Sequence, residues 1–380
     1  MSEMAQFRFP TDIRFGAGAR LLLSEFAGKY GVTRPLLVTD SGLLPTQAFH
    51  LVMAEMNKVW PEAHVQFTDV HPNPTDQDVE NAWRAYSQGD CDGIVGLGGG
   101  SALDTARALR LKVAFPEVAL MEMPFDELPS LVPMCAIPTT AGTGSEVGRS
   151  SVITIEQLGR KAVFGAPALM AEMAVLDPEL TIGLPPDLTA STGMDAMTHA
   201  IEAFVCPVFH PMCDGIALEA IRLVRLYLPA AYSEGTNLEA RGFMQVAAAM
   251  GAVAFQKDLG VAHSLSHPLS SEFGVQHGLA NAIVLPHVIR FNGQEDSSLY
   301  DRVAVALGCI EPTGDSTSWV AEFLSEFNRS IGITQRLRDL NVPHERLPEL
   351  ATKAMQDGCH LSNPRRCTEA DMLRLYEETW

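Results

Sequence analysis

The residues in this chain best suited to chemistry are three histidines and one aspartate–histidine pair. His263 and His267 lie four positions apart, and His277 follows in the same stretch of sequence. Asp195 and His199 repeat the four-residue spacing in an earlier segment. Residues four apart on a helix share one face. Two helices that each present such a pair to a common centre would offer imidazole and carboxylate ligands, which suit Fe(II), Zn(II) or another divalent transition metal.

A metal ion held by four side chains needs only four of these five. If His267 is the spare residue, it is left as a proton shuttle or a substrate contact, roles that suit the pKa of an imidazole. His277 precedes Gly278, where a tight backbone lets the ring turn inward. Spacing alone does not select the spare histidine. The other seven of the eleven histidines are interpreted as surface or core residues.

The composition excludes several classes of protein. With 380 residues, 47% hydrophobic and 19% charged, the chain is long enough for two globular domains. A net charge of −19 argues against binding to nucleic acid or anionic membranes, because these need clustered Lys and Arg. We find neither a signal peptide nor an apolar run of membrane-spanning length. The seven cysteines are scattered without a CxxC pair, which is typical of reduced thiols and predicts a cytoplasmic protein.

The first half of the chain alternates apolar strand signals with helical segments. This alternation predicts a parallel α/β sheet. Apolar runs indicate the strands, and 3.6-residue periodicity or a capping residue indicates the helices. The predicted strands are residues 7–15, 34–40, 65–68, 93–96 and 134–137, and the predicted helices are 20–29, 48–59 and 75–86, the last capped by Thr75.

Two glycine-rich loops follow predicted strands, which favours a nucleotide site at the carboxyl ends of those strands. In the first, flexible backbone leads into a helix N-terminus, a combination that suits an anion. Ser101 and Asp104 of this loop also match a capping box, so Asp104 has a structural interpretation as well. Ser101 replaces the third glycine of the standard dinucleotide fingerprint. The second loop, residues 137–148, offers four hydroxyl groups: Thr139, Thr140, Thr143 and Ser145.

Strand signals nearly vanish after a proline-rich stretch that ends near residue 185. Helical periodicity dominates from there onward. We therefore predict a Rossmann-like α/β nucleotide-binding domain over residues 1–185 and an all-helical metal-binding domain over residues 186–380. The predicted helices of the second domain, besides the one that carries His263, are residues 189–205, 215–232, 238–255, 279–290, 298–307, 319–327 and 369–377.

Taken together, the motifs resemble the iron-containing (group III) alcohol dehydrogenase family almost end to end. In chain order they are PTDIRFGAGA, VTD, PNPT, GGGSALDTAR, IPTTAGTGSEV, STGMDAMTHAIEAF and HSLSHPLSSEFGVQHGLANAIVLPHV. The resemblance implies a Rossmann-like nucleotide domain followed by a helical metal domain, a fold like that of dehydroquinate synthase. It also implies NAD as cofactor and Fe2+ as the usual metal, with Zn2+ as the main competitor. Family members are commonly homodimers or larger homo-oligomers.

The resemblance, carried over position by position, implies a role for each candidate residue. The metal ligands are Asp195, His199, His263 and His277, and His267 is the spare histidine near the nicotinamide and the substrate. The first glycine loop takes the pyrophosphate. The residues implied or interpreted to bind the cofactor are Asp40, Asn73, Gly98, Gly99, Gly100, Ser101, Asp104, Thr139, Thr140, Thr143, Lys161 and Phe255.

The implied reaction is hydride transfer between nicotinamide C4 and a small alcohol or the matching aldehyde or ketone, with the metal as Lewis acid. Asp40 ends the VTD strand of the family. An acid at that place accepts a hydrogen bond from the ribose 2′-hydroxyl and repels a 2′-phosphate. The sequence therefore predicts NAD rather than NADP.

Two departures from the family pattern bear on the substrate. Arg107 stands where many members have Lys. The segment AFQKDLG, residues 254–260, is shorter than usual and places Lys257 where an Asn would be. Lys257 is interpreted as a surface charge or as a residue facing the active-site cleft.

Alternatives in other functional classes are also open. A superfamily relative could act on another carbonyl, such as a glycerol dehydrogenase, a maleylacetate reductase or a hydroxyacid–oxoacid transhydrogenase. The full set of one Asp and three His disfavours the maleylacetate reductases, which lack part of the metal site. A lyase like dehydroquinate synthase would want a basic cluster for its polyanionic substrate, and none lies near the histidines in the sequence. A non-catalytic nucleotide-binding module would not need the metal ligands.

Overall fold

The computed structural model describes residue 9 and residues 11–310 and 314–380. The described residues fall into two compact units, Phe9–Leu184 and Pro185–Trp380. The predicted strand over residues 7–15 lies partly outside the described residues. Among the helices that are described, none combines the length and the apolar character needed to cross a membrane.

The first unit is built on a parallel β-sheet with helices between its strands. In chain order its elements are β1 Asp12–Phe15, α1 Leu23–Tyr30, β2 Pro35–Val38, α2 Gln47–Val59, β3 Val65–Phe67, α3 Asp76–Gln88, β4 Gly93–Gly98, α4 Gly100–Ala114, β5 Met134–Pro138, β6 Ser150–Ile155, β7 Arg160–Gly165 and β8 Met173–Leu176. The sheet order is β1-β8-β5-β4-β2-β3, and each neighbouring pair is parallel. The α/β class predicted for this half of the chain is confirmed.

The strands at the centre of the sheet are buried on both faces, which is why they read as continuous apolar runs. Side chains along a strand alternate between the two faces. Leu37 and Val95 pack in a core cluster with residues of α1 and α2, whereas Leu36 and Ile94 pack in a second cluster with residues of α3 and α4. Two hydrophobic layers therefore hold the carboxyl ends of β2, β4 and β5 in place.

A local sequence signal explains where α3 begins. Thr75 caps α3, as predicted, because its Oγ1 accepts a hydrogen bond from Asp78 N at 3.3 Å and its own N donates to Asp78 Oδ2 at 2.8 Å. The sequence signals did not reveal β6, β7 and β8. The first two form an antiparallel hairpin, and β8 fits between β1 and β5 in the sheet.

Every helix or strand among the described residues of the second unit is a helix. Its helices are α5 Pro186–Val205, α6 Pro211–Ser233, α7 Leu238–Ala254, α8 Val261–Phe273, α9 His277–Gly293, α10 Asp301–Ala306, α11 Ser316–Ser330, α12 Leu347–Met355 and α13 Glu369–Thr379. Helix α5 is buried along most of its length and packs against α6, α7 and α9. A helix that is buried on all sides either is apolar or has hydrogen-bond partners for its polar side chains. The polar residues on α5 therefore need such partners within this unit.

Candidate metal centre and cofactor-binding loops

Three helices of the second unit carry the predicted metal ligands. Asp195 and His199 lie one turn apart on α5, His263 lies in the first turn of α8, and His277 is the first residue of α9. The helix predicted over residues 279–290 leaves His277 outside it, but α9 begins two residues earlier because Gln276 caps it. The Oε1 atom of Gln276 accepts a hydrogen bond from the N–H of the third helical residue at 2.7 Å.

Three imidazole rings surround one carboxylate oxygen, which belongs to Asp195. Asp195 Oδ1 lies 3.8 Å from His199 Nε2, 3.9 Å from His263 Nε2 and 3.5 Å from His277 Nε2. Ligands about 2.1 Å from a tetrahedral metal lie about 3.4 Å from one another, so these separations are close to those of a coordination sphere. Burial lowers the pKa of His263 to about 4, which keeps that ring in the neutral form that a metal binds. The donor set therefore fits a divalent transition metal.

A carboxylate that the sequence analysis did not single out holds one of these histidines. Glu202 Oε2 lies 2.6 Å from His263 Nδ1, and Glu202 Oε1 accepts a hydrogen bond from Ala262 N at 2.6 Å. A carboxylate on Nδ1 leaves the Nε2 lone pair for the metal and fixes the ring orientation. Glu202 lies one turn after His199 on the same helix, so the i, i+3 spacing within STGMDAMTHAIEAF was a signal that could have found it.

Two residues of α9 adjust the position of the aspartate. Asn281 Nδ2 donates a hydrogen bond to Asp195 Oδ1 at 2.8 Å and lies 3.3 Å from His263 Nε2 and from His277 Nε2. Gly278 allows α9 to approach α5 closely, since a Cβ at this position would lie 2.1 Å from Ser191 O. The close approach brings the first turn of α9 against the segment of α5 that carries Asp195.

His267, the predicted spare histidine, lies beside the four candidate ligands. Its ring stacks on that of His277 with centroids 5.2 Å apart and meets the ring of His263 edge-on at 6.0 Å. Its Nδ1 lies 2.8 Å from Asp357 Oδ2, in the segment after α12. His267 thus has a carboxylate of its own and is distinct from the group around Asp195.

The segment between α7 and α8 places one predicted cofactor residue next to the histidines. The ring centroid of Phe255 lies 5.1 Å from that of His199. Lys257, two residues later, is buried, and its Nζ donates hydrogen bonds to Asp214 Oδ1 at 2.5 Å and to Phe204 O at 3.2 Å. The interpretation of Lys257 as a surface charge is therefore wrong, because α6 supplies a carboxylate for its ammonium group.

In the first unit the two glycine-rich loops lie against each other. A Cβ on Gly99 would lie 3.4 Å from Thr140 Cγ2, and a Cβ on Gly100 would lie 3.0 Å from Thr143 Cγ2. Thr139 N donates to the carbonyl of Gly98, at 3.0 Å. Helix α4 begins directly after the first loop. Its N-terminal N–H groups therefore lie beside Thr140 and Thr143, at the carboxyl ends of β4 and β5.

Asp104 and Arg107 lie on α4, after the first glycine-rich loop, and hydrogen bonds connect them to the second loop. Asp104 Oδ1 accepts hydrogen bonds from Ser145 Oγ at 2.5 Å and from Arg107 Nη1 at 3.0 Å, and its Oδ2 accepts from Val152 N at 2.9 Å. Both carboxylate oxygens thus bond within the protein. The capping-box interpretation is wrong: the N-cap of α4 is Gly99 and makes no side-chain cap, so Ser101 is the second helical residue.

Asp40, Asn73 and Lys161 lie at different places around these loops. Asp40 follows β2, and its Oδ2 would lie 3.4 Å from a Cβ on Gly98, so its carboxylate borders the first glycine loop. Asn73 is exposed and has a φ of 56° in the loop before α3. Lys161 pairs in register with Thr154, whose N–H donates to Pro74 O at 2.7 Å. The hairpin therefore brings β6, the strand that pairs with that of Lys161, against the loop of Asn73.

Comparison with known proteins agrees with the geometry of both units. Residues 10–178 match the family described as iron-containing alcohol dehydrogenase, and residues 189–380 match the C-terminal region of the Fe-containing alcohol dehydrogenase family. The chain is 36% identical to 4-hydroxybutyrate dehydrogenase of Cupriavidus necator, over 99% of this chain and 100% of that protein. It is 34% identical to NAD-dependent methanol dehydrogenase of Bacillus methanolicus, over 98% and 99% of the two chains.

Solved structures give the same result for the fold. A crystal structure of 1,3-propanediol oxidoreductase superposes with a TM-score of 0.93 at 33% identity, covering 100% of both chains. The fold class and the resemblance inferred from the motifs are confirmed. The chain belongs to the iron-containing alcohol dehydrogenase family and is an oxidoreductase.

Proposed function

We propose that this protein interconverts a small alcohol and its aldehyde or ketone by NAD(H)-dependent, metal-assisted hydride transfer. The observation that carries this proposal is the convergence of His199, His263 and His277 on Asp195 Oδ1, with separations of 3.5–3.9 Å. Family membership supports the same reading. So does the NAD dependence in the name of the methanol dehydrogenase that is similar to this chain.

The proposed ligands of the divalent metal, Fe2+ or Zn2+, are Asp195, His199, His263 and His277. When bound, the metal supplies a Lewis acid for the substrate oxygen, and NAD supplies a hydride acceptor at nicotinamide C4. Glu202 keeps Nε2 of His263 available, and Asn281 orients the Asp195 carboxylate. His267 takes the hydroxyl proton of the alcohol and returns it in the reverse direction.

The proposed cofactor site uses the two glycine-rich loops of the first unit. The backbone N–H groups of the first loop and the N-terminus of α4 hold the pyrophosphate, and threonine hydroxyls of the second loop line the cofactor. Asp40 accepts from the ribose 2′-hydroxyl, so NAD is preferred over NADP. The residues that we assign to cofactor binding are Asp40, Asn73, Gly98, Gly99, Gly100, Ser101, Asp104, Thr139, Thr140, Thr143, Lys161 and Phe255.

The substrate that we propose is a short primary alcohol. 4-Hydroxybutyrate, methanol and 1,3-propanediol, named in the similar proteins, all carry a primary hydroxyl group. We further propose a cytoplasmic protein, because no disulfide bond joins any of the seven cysteines, all of which lie among the described residues. A homodimer or larger homo-oligomer is also proposed. It is supported by exposed Ile13 and Phe15 on β1, at the edge of the described sheet.

The test is NADH oxidation by anaerobically purified protein that has been chelated and then reloaded with Fe(II) or Zn(II). The panel contains formaldehyde, acetaldehyde, 3-hydroxypropanal and 4-oxobutyrate. We expect turnover to vanish with chelation and to return with metal. His277→Ala should abolish the return, whereas His287→Ala, at a histidine paired with Glu378, should not. No turnover of any aldehyde by reloaded protein that still binds NAD would contradict the proposal.

A further inference from the structure

A carboxylate outside the metal ligand set fixes the histidine that we assign to proton transfer. Asp357 follows α12 and reaches back to α8, where its Oδ2 lies 2.8 Å from His267 Nδ1. The side chains of Asp357 and His267 are 19% and 16% exposed, so the contact is largely shielded from solvent. Sequence spacing gives no signal for this pair, because ninety positions separate the two residues.

The other oxygen of this carboxylate is held by two donors. Asp357 Oδ1 accepts hydrogen bonds from Ser264 Oγ at 2.9 Å and from Cys359 N at 2.9 Å. A backbone N–H can only donate, so Oδ1 must remain an acceptor at that place. Ser264 Oγ in turn accepts from His360 N at 2.9 Å, which leaves its own proton for Asp357. Oδ2 is the oxygen that faces the histidine ring.

The arrangement decides which nitrogen of His267 carries the proton. Burial by itself would raise the pKa of Asp357, but its hydrogen bonds to His267 and Cys359 hold that pKa below its ordinary value. An ionised Asp357 accepts from Nδ1–H, which leaves the lone pair of the neutral ring on Nε2. The ring plane is fixed as well, since it stacks on His277 with an interplanar angle of 10°.

We propose that Asp357 is a positioning residue, which holds His267 in the Nδ1–H tautomer so that Nε2 is the atom that takes the substrate proton. The proposal rests on the proposed dehydrogenase function. In alcohol oxidation the substrate loses its hydroxyl proton to His267 Nε2 and a hydride to nicotinamide C4, which yields aldehyde and NADH. The proton then leaves Nε2 for solvent, and Asp357 gains none.

The replacement Asp357→Asn separates this role from a merely structural one. The asparagine has the same shape, but the fixed Cys359 N–H requires that its oxygen occupy the Oδ1 place. Its NH2 group then faces His267 Nδ1, which must become an acceptor, and the proton moves to Nε2. The matched control is Glu378→Gln, which changes the carboxylate beside His287 at 3.3 Å in the same unit.

Two measurements test the proposal on the zinc-loaded, full-length protein. Histidine 15N chemical shifts, with His267 assigned by its loss in His267→Ala, should show Nδ1–H in the wild type and Nε2–H in Asp357→Asn. Turnover by Asp357→Asn should fall by about 10²–10⁴-fold. Zinc content, KM for NADH and far-UV circular dichroism should stay unchanged, and Glu378→Gln should match the wild type throughout.

Several outcomes would overturn the proposal. They are an Nε2–H ring in the wild type, an unchanged tautomer in Asp357→Asn, or turnover of that variant within about threefold of the wild type. If Asp357→Asn fails to fold, the tautomer of His267 in the wild type decides by itself whether the proposal holds. Loss of the proposed function itself is distinguishable, because it appears as absent metal-dependent turnover in the wild type, while the tautomer measurement still tests the Asp357–His267 pair.

Discussion

The carboxylate of Glu202 lies 2.6 Å from Nδ1 of His263, deep in the helical unit where both side chains are buried. The contact links α5 to α8 directly beside the candidate metal ligands. It selects the ring nitrogen that faces Asp195 and fixes the ring in its orientation. Burial raises the pKa of Glu202 to about 7, even though the hydrogen bond from Ala262 N acts to lower it.

Glu202→Gln should weaken metal binding while leaving all four ligands in place. We expect the Kd for Zn(II) to rise by about 10–100-fold, because the amide holds the His263 ring less firmly than the carboxylate does. Competition with a chromophoric chelator measures this Kd. Glu219→Gln, which changes an exposed acid paired with Arg222, is the control. Equal Zn(II) affinity in the two variants would refute the role of Glu202.

Gly278→Ala should force α5 and α9 apart. The new methyl group would lie 2.1 Å from Ser191 O, and a buried backbone cannot yield cheaply. We expect the free energy of unfolding to fall by about 1–3 kcal/mol and zinc retention on dialysis to fall with it. Urea unfolding and elemental analysis measure the two effects.

The control for this variant is Gly215→Ala on α6, where an added Cβ meets nothing within 4 Å. That substitution should leave zinc retention unchanged and stabilise the protein by about 0.5–1 kcal/mol, because alanine is the better helix former. The close approach of α9 to α5 would lose its importance if Gly278→Ala behaved in the same way.

Asp40→Ala should relax the choice of cofactor. Its carboxylate borders the first glycine loop near Gly98, and losing it removes both an acceptor for the ribose 2′-hydroxyl and a repulsion toward a 2′-phosphate. The ratio of kcat/KM for NADH to that for NADPH should fall by about 10-fold or more. Asp126→Ala, at an exposed acid of the same unit, should leave the ratio unchanged. A wild type that already uses both cofactors equally would contradict the assignment of Asp40.

Glu146→Gln should change how stability depends on pH. Burial raises the pKa of Glu146 from 4.5 to about 7. The folded state thus binds a proton more tightly than the unfolded state, and the free energy of unfolding falls as pH rises from about 4.5 to about 7. The loss is on the order of 3 kcal/mol. The glutamine cannot ionise and should remove this dependence.

Urea unfolding at pH 4.5, 6 and 8 provides the measurement for this variant. Glu146→Gln and the wild type should be closest at the lowest pH, and the variant should be the more stable at the highest. Glu117→Gln, at an exposed acid of the same unit, serves as the control. Parallel curves for wild type and Glu146→Gln would show that the buried acid does not titrate in this range.

The sequence predicted best those elements whose burial is continuous. The strands β2, β4 and β5 are buried along their whole length, so apolar runs marked them clearly. The hairpin of β6 and β7 was missed because one face of β6 is less buried and its residues alternate, with hydroxyl-bearing Ser150 and Thr154 among them. Continuous burial does not explain every outcome, because β8 is buried along all four of its residues, as β2 is, and was nevertheless missed.

For the site, side chains on a single helix could be grouped by spacing, whereas tertiary partners could not. The pairs Asp195–His199 and His263–His267 were visible as repeats of four residues. Asp357 and Asn281 become partners of the site only when α12, α9 and α8 are brought together. The surface-charge interpretation of Lys257 failed for the same reason, since its partner Asp214 comes from α6.

The pairing of β1 with β8 has a consequence for how the first unit forms during synthesis. Asp12 to Phe15 lie in register with Met173 to Leu176, so the edge strand near the start of the chain pairs with a strand made some 160 residues later. Strand β1 therefore cannot complete the sheet until almost the whole unit has left the ribosome. Until then, β1 has no neighbouring strand, and its exposed apolar residues, among them Ile13 and Phe15, belong to an incomplete sheet.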